Sequence, residues 1–335
     1  MDDITLGFIS AFNERVEPLM NGTIKVDGVR LISTYSHPAE TFWRQLKFGE
    51  FEVAEMSMSS YLIAKSQGAD MIALPAFPSR RLFQTELSYH VDSGITGPQD
   101  LAGKRLGVAE YQQTAALWIR GILEHDFGVS QYKIHWYMER SEAMSHGGAT
   151  GFKPPAGISF SRIDPRKSLK SSLLANELDV GHVASPWVLQ ANALDRSSRI
   201  GGDDWSKVRP LFPDRMAEGA RFYRKHGFLP VNHAYIIRGD IHRKYPWLAD
   251  RLYDGFVRAK ALAQEKMAEQ IPSALIFGQE YWATTRALIG DDPFPFGIKA
   301  NQAMLQTITG YSHEQGLTPR QMKIEELFAE STLDT

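Results

Sequence analysis

A few residues in this chain have types and spacings that could do chemistry. His233 follows Pro230-Val231-Asn232 and stands just before an apolar stretch, Ala234–Ile237. An imidazole titrates near neutrality and can donate or accept a proton; the alternative is a structural histidine satisfied by backbone groups. Arg80 and Arg81 follow Phe77-Pro78-Ser79. A guanidinium grips a carboxylate with two parallel hydrogen bonds, and the alternative is a surface ion pair. Ser57, Ser59 and Ser60 open a helical pattern, where hydroxyls and free N–H groups could hold an anion. Plain N-capping explains one serine but not three. Glu110, Tyr111, Gln112 and Thr114 open another helix. There Glu110 is either a general base or an acid favoured by the helix dipole, and Thr114 with the backbone N–H groups could hold a second anion. His182 and Ser185 lie in Asp179-Val180-Gly181-His182-Val183-Ala184-Ser185-Pro186, read as a ligand-facing loop or a solvated one.

Other chemistries are excluded or unsupported. The chain has no cysteine, so disulfides, thiolate metal sites, iron–sulfur clusters and a cysteine nucleophile are out. No His-x-x-x-His, His-Glu-x-x-His, Gly-x-Ser-x-Gly or Gly-x-Gly-x-x-Gly occurs; His135 and His146 have no ligand spacing with a carboxylate pair. No metal and no cofactor are expected. Lys plus Arg number 37 against 39 Asp plus Glu, a net charge of −2, which gives no basic field for nucleic acid or an anionic membrane.

The elements that position these residues alternate. Strands are expected at Ile4–Ser10, Gly28–Ser33, Phe51–Met56, Met71–Pro75 and Leu87–Val91, with helices at Pro38–Phe48 and Ser57–Gln67 between them. A second unit opens at Gly97-Pro98 and carries strands at Arg105–Val108, Lys133–Tyr137 and Val180–Ala184. Its helices are Thr114–Leu123, stopped by Gly128, and Ser168–Asn176; Ser141–Gly157 reads as a loop. The strand Ala234–Ile237 is then followed only by helices. Two α/β units in series would fit this pattern. So would a two-lobe clamp, in which residues 1–95 and 210–335 form lobe one and residues 96–209 are an inserted lobe two, each a mixed sheet flanked by helices. Ligands in such sheets sit beyond the carboxyl ends of strands, between the lobes. Phe42, Trp43, Tyr281 and Trp282 read as helix core.

Several blocks carry a resemblance: Thr41-Phe42-Trp43-Arg44, Glu55-Met56-Ser57-Met58-Ser59-Ser60-Tyr61-Leu62, Leu74-Pro75-Ala76-Phe77-Pro78-Ser79-Arg80, Leu101-Ala102-Gly103-Lys104-Arg105, Glu110-Tyr111-Gln112-Gln113-Thr114-Ala115, Asp292-Pro293-Phe294-Pro295-Phe296-Gly297 and Glu314-Gln315-Gly316-Leu317. Over residues 40–330 the chain resembles the 4,5-dihydroxyphthalate decarboxylase family, which is similar in fold to type II periplasmic solute-binding proteins. The resemblance implies a cofactor-independent carboxy-lyase giving 3,4-dihydroxybenzoate (protocatechuate) and CO2, with a small aromatic carboxylate as partner. In that substrate each carboxylate is para to a phenol. Loss of the phenol proton drives electron density to the carboxylate-bearing carbon, an acid protonates it, and CO2 leaves. On this reading His233, Glu110 and His182 are the catalytic candidates, with His233 the first choice of acid, Glu110 the first choice of phenol base, and His182 the next candidate for the acid. His182 and Ser185 touch the ring hydroxyls, and Arg80, placed before Arg81, holds a carboxylate.

The competing expectation is a non-catalytic solute-binding protein or sensor for an aromatic carboxylate. The N-terminus, Met-Asp-Asp-Ile-Thr, lacks the basic start and apolar core of a secretory signal, so a cytoplasmic location is expected. The sequence leaves a homo-oligomer open.

Overall fold

The computed structural model describes residues 3–186 and 195–335. Met1 and Asp2, which open the N-terminal reading above, lie outside them. The short apolar, β-branched runs become strands: β1 (Ile4–Ser10), β2 (Val29–Tyr35), β3 (Val53–Ser57), β4 (Met71–Arg80), β5 (Leu87–His90), β6 (Arg105–Val108), β7 (His135–Met138), β8 (Ser159–Arg162), β9 (Val180–His182), β10 (Val208–Pro210) and β11 (Val231–Arg238). They form two sheets, ordered β2-β1-β3-β11-β4 and β10-β5-β9-β6-β7-β8. Both are mixed. In the first, β1 runs parallel to β2 and β3, while β11 enters antiparallel between β3 and β4. In the second, β6 is parallel to β7 and β9, and β5 is antiparallel to β9 and β10. With helices packed on them, the two sheets make a two-lobed α/β fold.

Sheet membership shifts one boundary expected from the sequence. The chain crosses to the second sheet between Arg80 and Leu87, ahead of residue 96, because β5 pairs with β9 and β10. Such pairing is a long-range property that local periodicity does not carry.

The lobes are joined through the helix Thr114–Phe127, which Gly128 ends with φ +70°. It belongs in sequence to the second unit but is anchored on the first. Trp118 Nε1 donates to Val231 O at 2.8 Å, Arg120 Nε to Gln315 Oε1 at 2.7 Å, and Gln315 Nε2 to Leu117 O at 3.0 Å, all buried. The helix approaches Gln302–Glu314 so closely that a Cβ on Gly121 would lie 2.1 Å from the Tyr311 ring. Among the described residues no helix is long and apolar enough to cross a membrane.

Gly121→Ala should therefore overpack this junction and destabilise the protein by about 1–3 kcal/mol, read as a lowered thermal midpoint. An unchanged midpoint would show that the two helices are not in this contact.

Candidate active site

Between the lobes lies a cleft of about 310 Å³. Lobe one contributes the loop after β1 (Ala11, Phe12, Asn13), the start of the helix Pro38–Phe48 with Phe42, Glu55 and Ser57 of β3, and Asn232 and His233 of β11. Gln113, Thr114, Ala115, Arg140 and His146 line the other side, with Arg81 at the crossing.

His233 sits where β11 pairs with the end of β3, opposite Ser57. Its Nδ1 is 2.6 Å from Glu55 Oε1. Glu55 is buried, and its other oxygen accepts Ser10 Oγ–H at 2.9 Å and Ala11 N–H at 2.8 Å. Burial alone would push this carboxyl up. The His233 hydrogen bond and charge, with Ala11 and Ser10, outweigh it and hold Glu55 below the usual carboxylate range. An ionised Glu55 accepts Nδ1–H, which leaves Nε2 as the nitrogen that exchanges protons.

A second histidine lies across the Phe42 ring. Phe42 meets His233 edge-on at 4.8 Å and His146 at 5.3 Å. His146 is set between a cation and an anion, Arg140 and Glu110. Arg140 Nη1 lies 3.2 Å from its Nε2, and Ser60 Oγ 3.2 Å from its Nδ1. The same Nε2 lies 3.2 Å from Glu110 Oε1, so a donor and an acceptor both face this one ring nitrogen. Burial pulls the His146 pKa down to about 4, with the Arg140 and His233 charges acting in the same direction and Glu110 against them.

Three helices longer than two turns start at the cleft. Two are closed by their own side chains: His37 Nδ1 accepts Ala39 N–H at 3.3 Å, and Ser57 Oγ accepts Ser60 N–H at 3.4 Å. The third, at Thr114, has no side-chain cap. It offers unpaired N–H groups and the positive end of a 14-residue helix. Thr114 Oγ1 ties it to lobe one, 2.8 Å from Ser57 Oγ and accepting Ser59 N–H at 3.1 Å.

The residues singled out from the sequence divide. His233, Ser57, Thr114 and Arg81 line this cleft. Arg80 does not: its guanidinium donates to Leu229 O, Pro295 O and Asn301 Oδ1. Alternation along an extended chain sends Arg80 and Arg81 opposite ways. Glu110 also lies off the cleft, fully buried, bonded by Arg140 Nη1 at 2.7 Å, Gly147 N and Gln112 Nε2. Burial, which would raise its pKa, is outweighed by His146 and Arg140, so it stays below the usual range. The Gln112 side chain is occupied by that bond, and Ser60 by His146. Tyr111 is core, its hydroxyl donating to Gln131 Oε1 at 2.7 Å. Ser59 and Ser185 are buried off the cleft. His182 bonds Glu86 and lines a neighbouring hollow. Phe42, read as helix core, is buried in the core and also forms the aromatic wall of the cleft. Tyr281 is exposed rather than core. Among the described residues no group of three or more His, Asp or Glu side chains could hold a metal ion.

The buried neutral state of His146 has a measurable consequence. Its pKa is depressed on folding, from an ordinary 6.5 to about 4. The unfolded chain therefore takes up the proton first, and stability present above pH 6.5 is lost as pH falls towards 4. In His146→Gln the unfolding midpoint should drop less over this window than in the wild type. Equal drops would show that His146 is not held neutral.

Known proteins can be set beside this geometry. The family described as NMT1/THI5 like matches residues 36–149. The 4,5-dihydroxyphthalate decarboxylase of Comamonas testosteroni is 28% identical over 338 aligned residues, spanning 100% of this chain and 99% of that protein. The 4,5-dihydroxyphthalate decarboxylase of Pseudomonas putida is 33% identical over 180 residues, 53% of this chain and 70% of that protein. In fold, the chain is similar to the periplasmic aliphatic sulphonate binding protein SsuA of Escherichia coli, with a TM-score of 0.55, 13% identity and coverage of 98% and 92%. It is likewise similar to the alkanesulfonate-binding protein SsuA of Xanthomonas axonopodis pv. citri, with a TM-score of 0.53, 12% identity and coverage of 99% and 98%. The two-lobed fold is thus that of the periplasmic binding proteins, and by its sequence the chain belongs to the 4,5-dihydroxyphthalate decarboxylase family.

Proposed function

We propose that this chain is a carboxy-lyase that converts 4,5-dihydroxyphthalate to 3,4-dihydroxybenzoate and CO2 in the interlobe cleft, with His233 as the proton donor. The observation that carries this is the Glu55–His233 pair, a buried carboxylate fixing one ring nitrogen of a cleft histidine. A protein that only captures an anion needs donors and cations; it has no use for a poised acid.

The retained carboxylate binds at the uncapped helix start, Thr114 and Ala115, with Arg81 beside it. The ring packs on Phe42, which sets the other carboxylate near His233 and away from water. The para hydroxyl gives its proton to solvent at the mouth of the cleft; Glu110, sealed against Arg140, is not in reach for that step. The phenolate pushes an electron pair to the carboxylate-bearing carbon, which takes the proton from His233 Nε2. The C–CO2 bond then breaks, its electron pair restores the aromatic ring, and CO2 departs. The phenolate that this leaves takes a proton back from solvent, as does His233, so the net change is one proton taken up and one CO2 lost. Glu55 stabilises the imidazolium before transfer and holds the ring throughout. No step calls on a cofactor. A cytoplasmic location is part of the same proposal, and cell fractionation tests it.

Incubating the protein with 4,5-dihydroxyphthalate in D2O should release CO2 and leave one deuterium at the carbon that lost it. Binding without CO2 release would make the chain a solute-binding protein and overturn the proposal.

His233→Asn should keep substrate binding and lower kcat by about 10²–10⁴. Glu55→Gln, which keeps the shape but removes the charge, should lower kcat with a smaller change in KM. Near-normal kcat in His233→Asn would move the acid to another group.

A further inference from the structure

Arg81 does not meet the cleft as a free cation. Its Nε and Nη2 donate to the two oxygens of Glu86, each at 2.7 Å. Glu86 Oε2 has a second partner, His182 Nε2, also at 2.7 Å. The trio is a product of the fold: the turn Phe83–Glu86 brings Glu86 back to Arg81, and the next residue, Leu87, pairs with His182 across β5 and β9. The Glu86 and His182 side chains are only 6% and 2% exposed, against 26% for Arg81. The trio thus runs from the cleft to a neighbouring hollow of about 270 Å³ that His182 lines, which gives protons a route to the ring.

We propose that His182 is a positioning residue for substrate binding: its charge, acting on the Glu86 that both share, sets the net charge with which Arg81 meets a substrate carboxylate. With His182 neutral, the trio carries one anion and one cation, and Glu86 neutralises Arg81. With His182 protonated, Glu86 is shared between two cations and the trio is net positive. A dianionic ligand favours the second state, so its binding draws a proton onto His182. This rests on the reading that Arg81 receives a carboxylate.

The other charged groups around His182 are already paired. In the hollow, Arg140 bonds Asp195, and Lys170 bonds Asp203. Glu139 accepts Ser197 N–H and Oγ–H and Leu169 N–H. From β6, Arg105 is paired with Asp179. Glu86 is the carboxylate bonded to His182. Burial would push its carboxyl up, but His182 and Arg81 hold it below the usual range, so it remains an anion.

The test is calorimetric titration with phthalate, a dianion that lacks the hydroxyls and cannot react, in buffers of different ionisation heat. The wild type should take up protons on binding, and its Kd should rise above neutrality. A whole proton corresponds to about tenfold in Kd per pH unit. His182→Gln should take up less, with a flatter dependence of Kd on pH. Glu86→Gln, which unmasks Arg81 permanently, should bind more tightly with a flat profile; it also serves if His182→Gln fails to fold. Equal proton uptake in wild type and His182→Gln, or weaker binding by Glu86→Gln, overturns the inference alone. Failure of the wild type to bind phthalate overturns the substrate reading, and this inference with it.

Discussion

The structure depends most on one buried anion. Glu55 sits on β3 in the middle of the first sheet, where an unpaired carboxylate could not persist. Its partners come from the two strands on either side: Ser10 and Ala11 at the end of β1, and His233 on β11. Satisfying that one charge fixes where β1 ends, which way the loop bearing Phe12 and Asn13 turns, and how the His233 ring is set. Tyr235, two residues along β11, closes the group through Ser10 Oγ at 2.9 Å. The constraint is structural and chemical at once, because removing any partner leaves charge unmet in a dry place.

The second lobe answers with a cation. Arg140 bonds Glu110 and Asp195 and lies against His146. Burial, which would lower its pKa, is outweighed by these two carboxylates, so it stays raised and charged. The cleft therefore holds two histidines on one phenylalanine, one backed by the Glu55 carboxylate and the other set against the Arg140–Glu110 ion pair.

How far this was legible in the sequence follows from what each signal is made of. The strand Ile4–Ser10 and the helix Pro38–Phe48 read with their observed limits, since local periodicity and a capped proline start determine them. The helix Arg215–His226 was passed over although Asp214 caps it and Gly227 stops it. His233 was legible from its place before a returning strand. Its partner Glu55 was not, because a carboxylate inside a strand looks like any alternating polar residue until β1 and β11 arrive on either side. Phe42 has helical spacing whether it packs on core or on a ligand. His146 was hidden in a stretch rich in Gly, Ser and Pro that reads as loop; it opens a short helix packed beside Phe42. Arg80 and Arg81 are neighbours in sequence, and strand parity, visible only once β4 is seen to run through Arg80, separates them.

The anchoring of the helix Thr114–Phe127 reaches beyond packing. The helix start that meets the ligand is bolted to lobe one through Ser57, Val231 and Gln315. A wide swing of the lobes would have to tear these buried bonds. On the proposed function, the anion seat and the proton donor are held together by these buried bonds. A transport receptor converts ligand binding into a change of shape that a membrane partner can read. Bonds of this kind across the lobes oppose such a change, and on the proposed function they keep the free energy of ligand binding within the site, where it can act on the reacting bond.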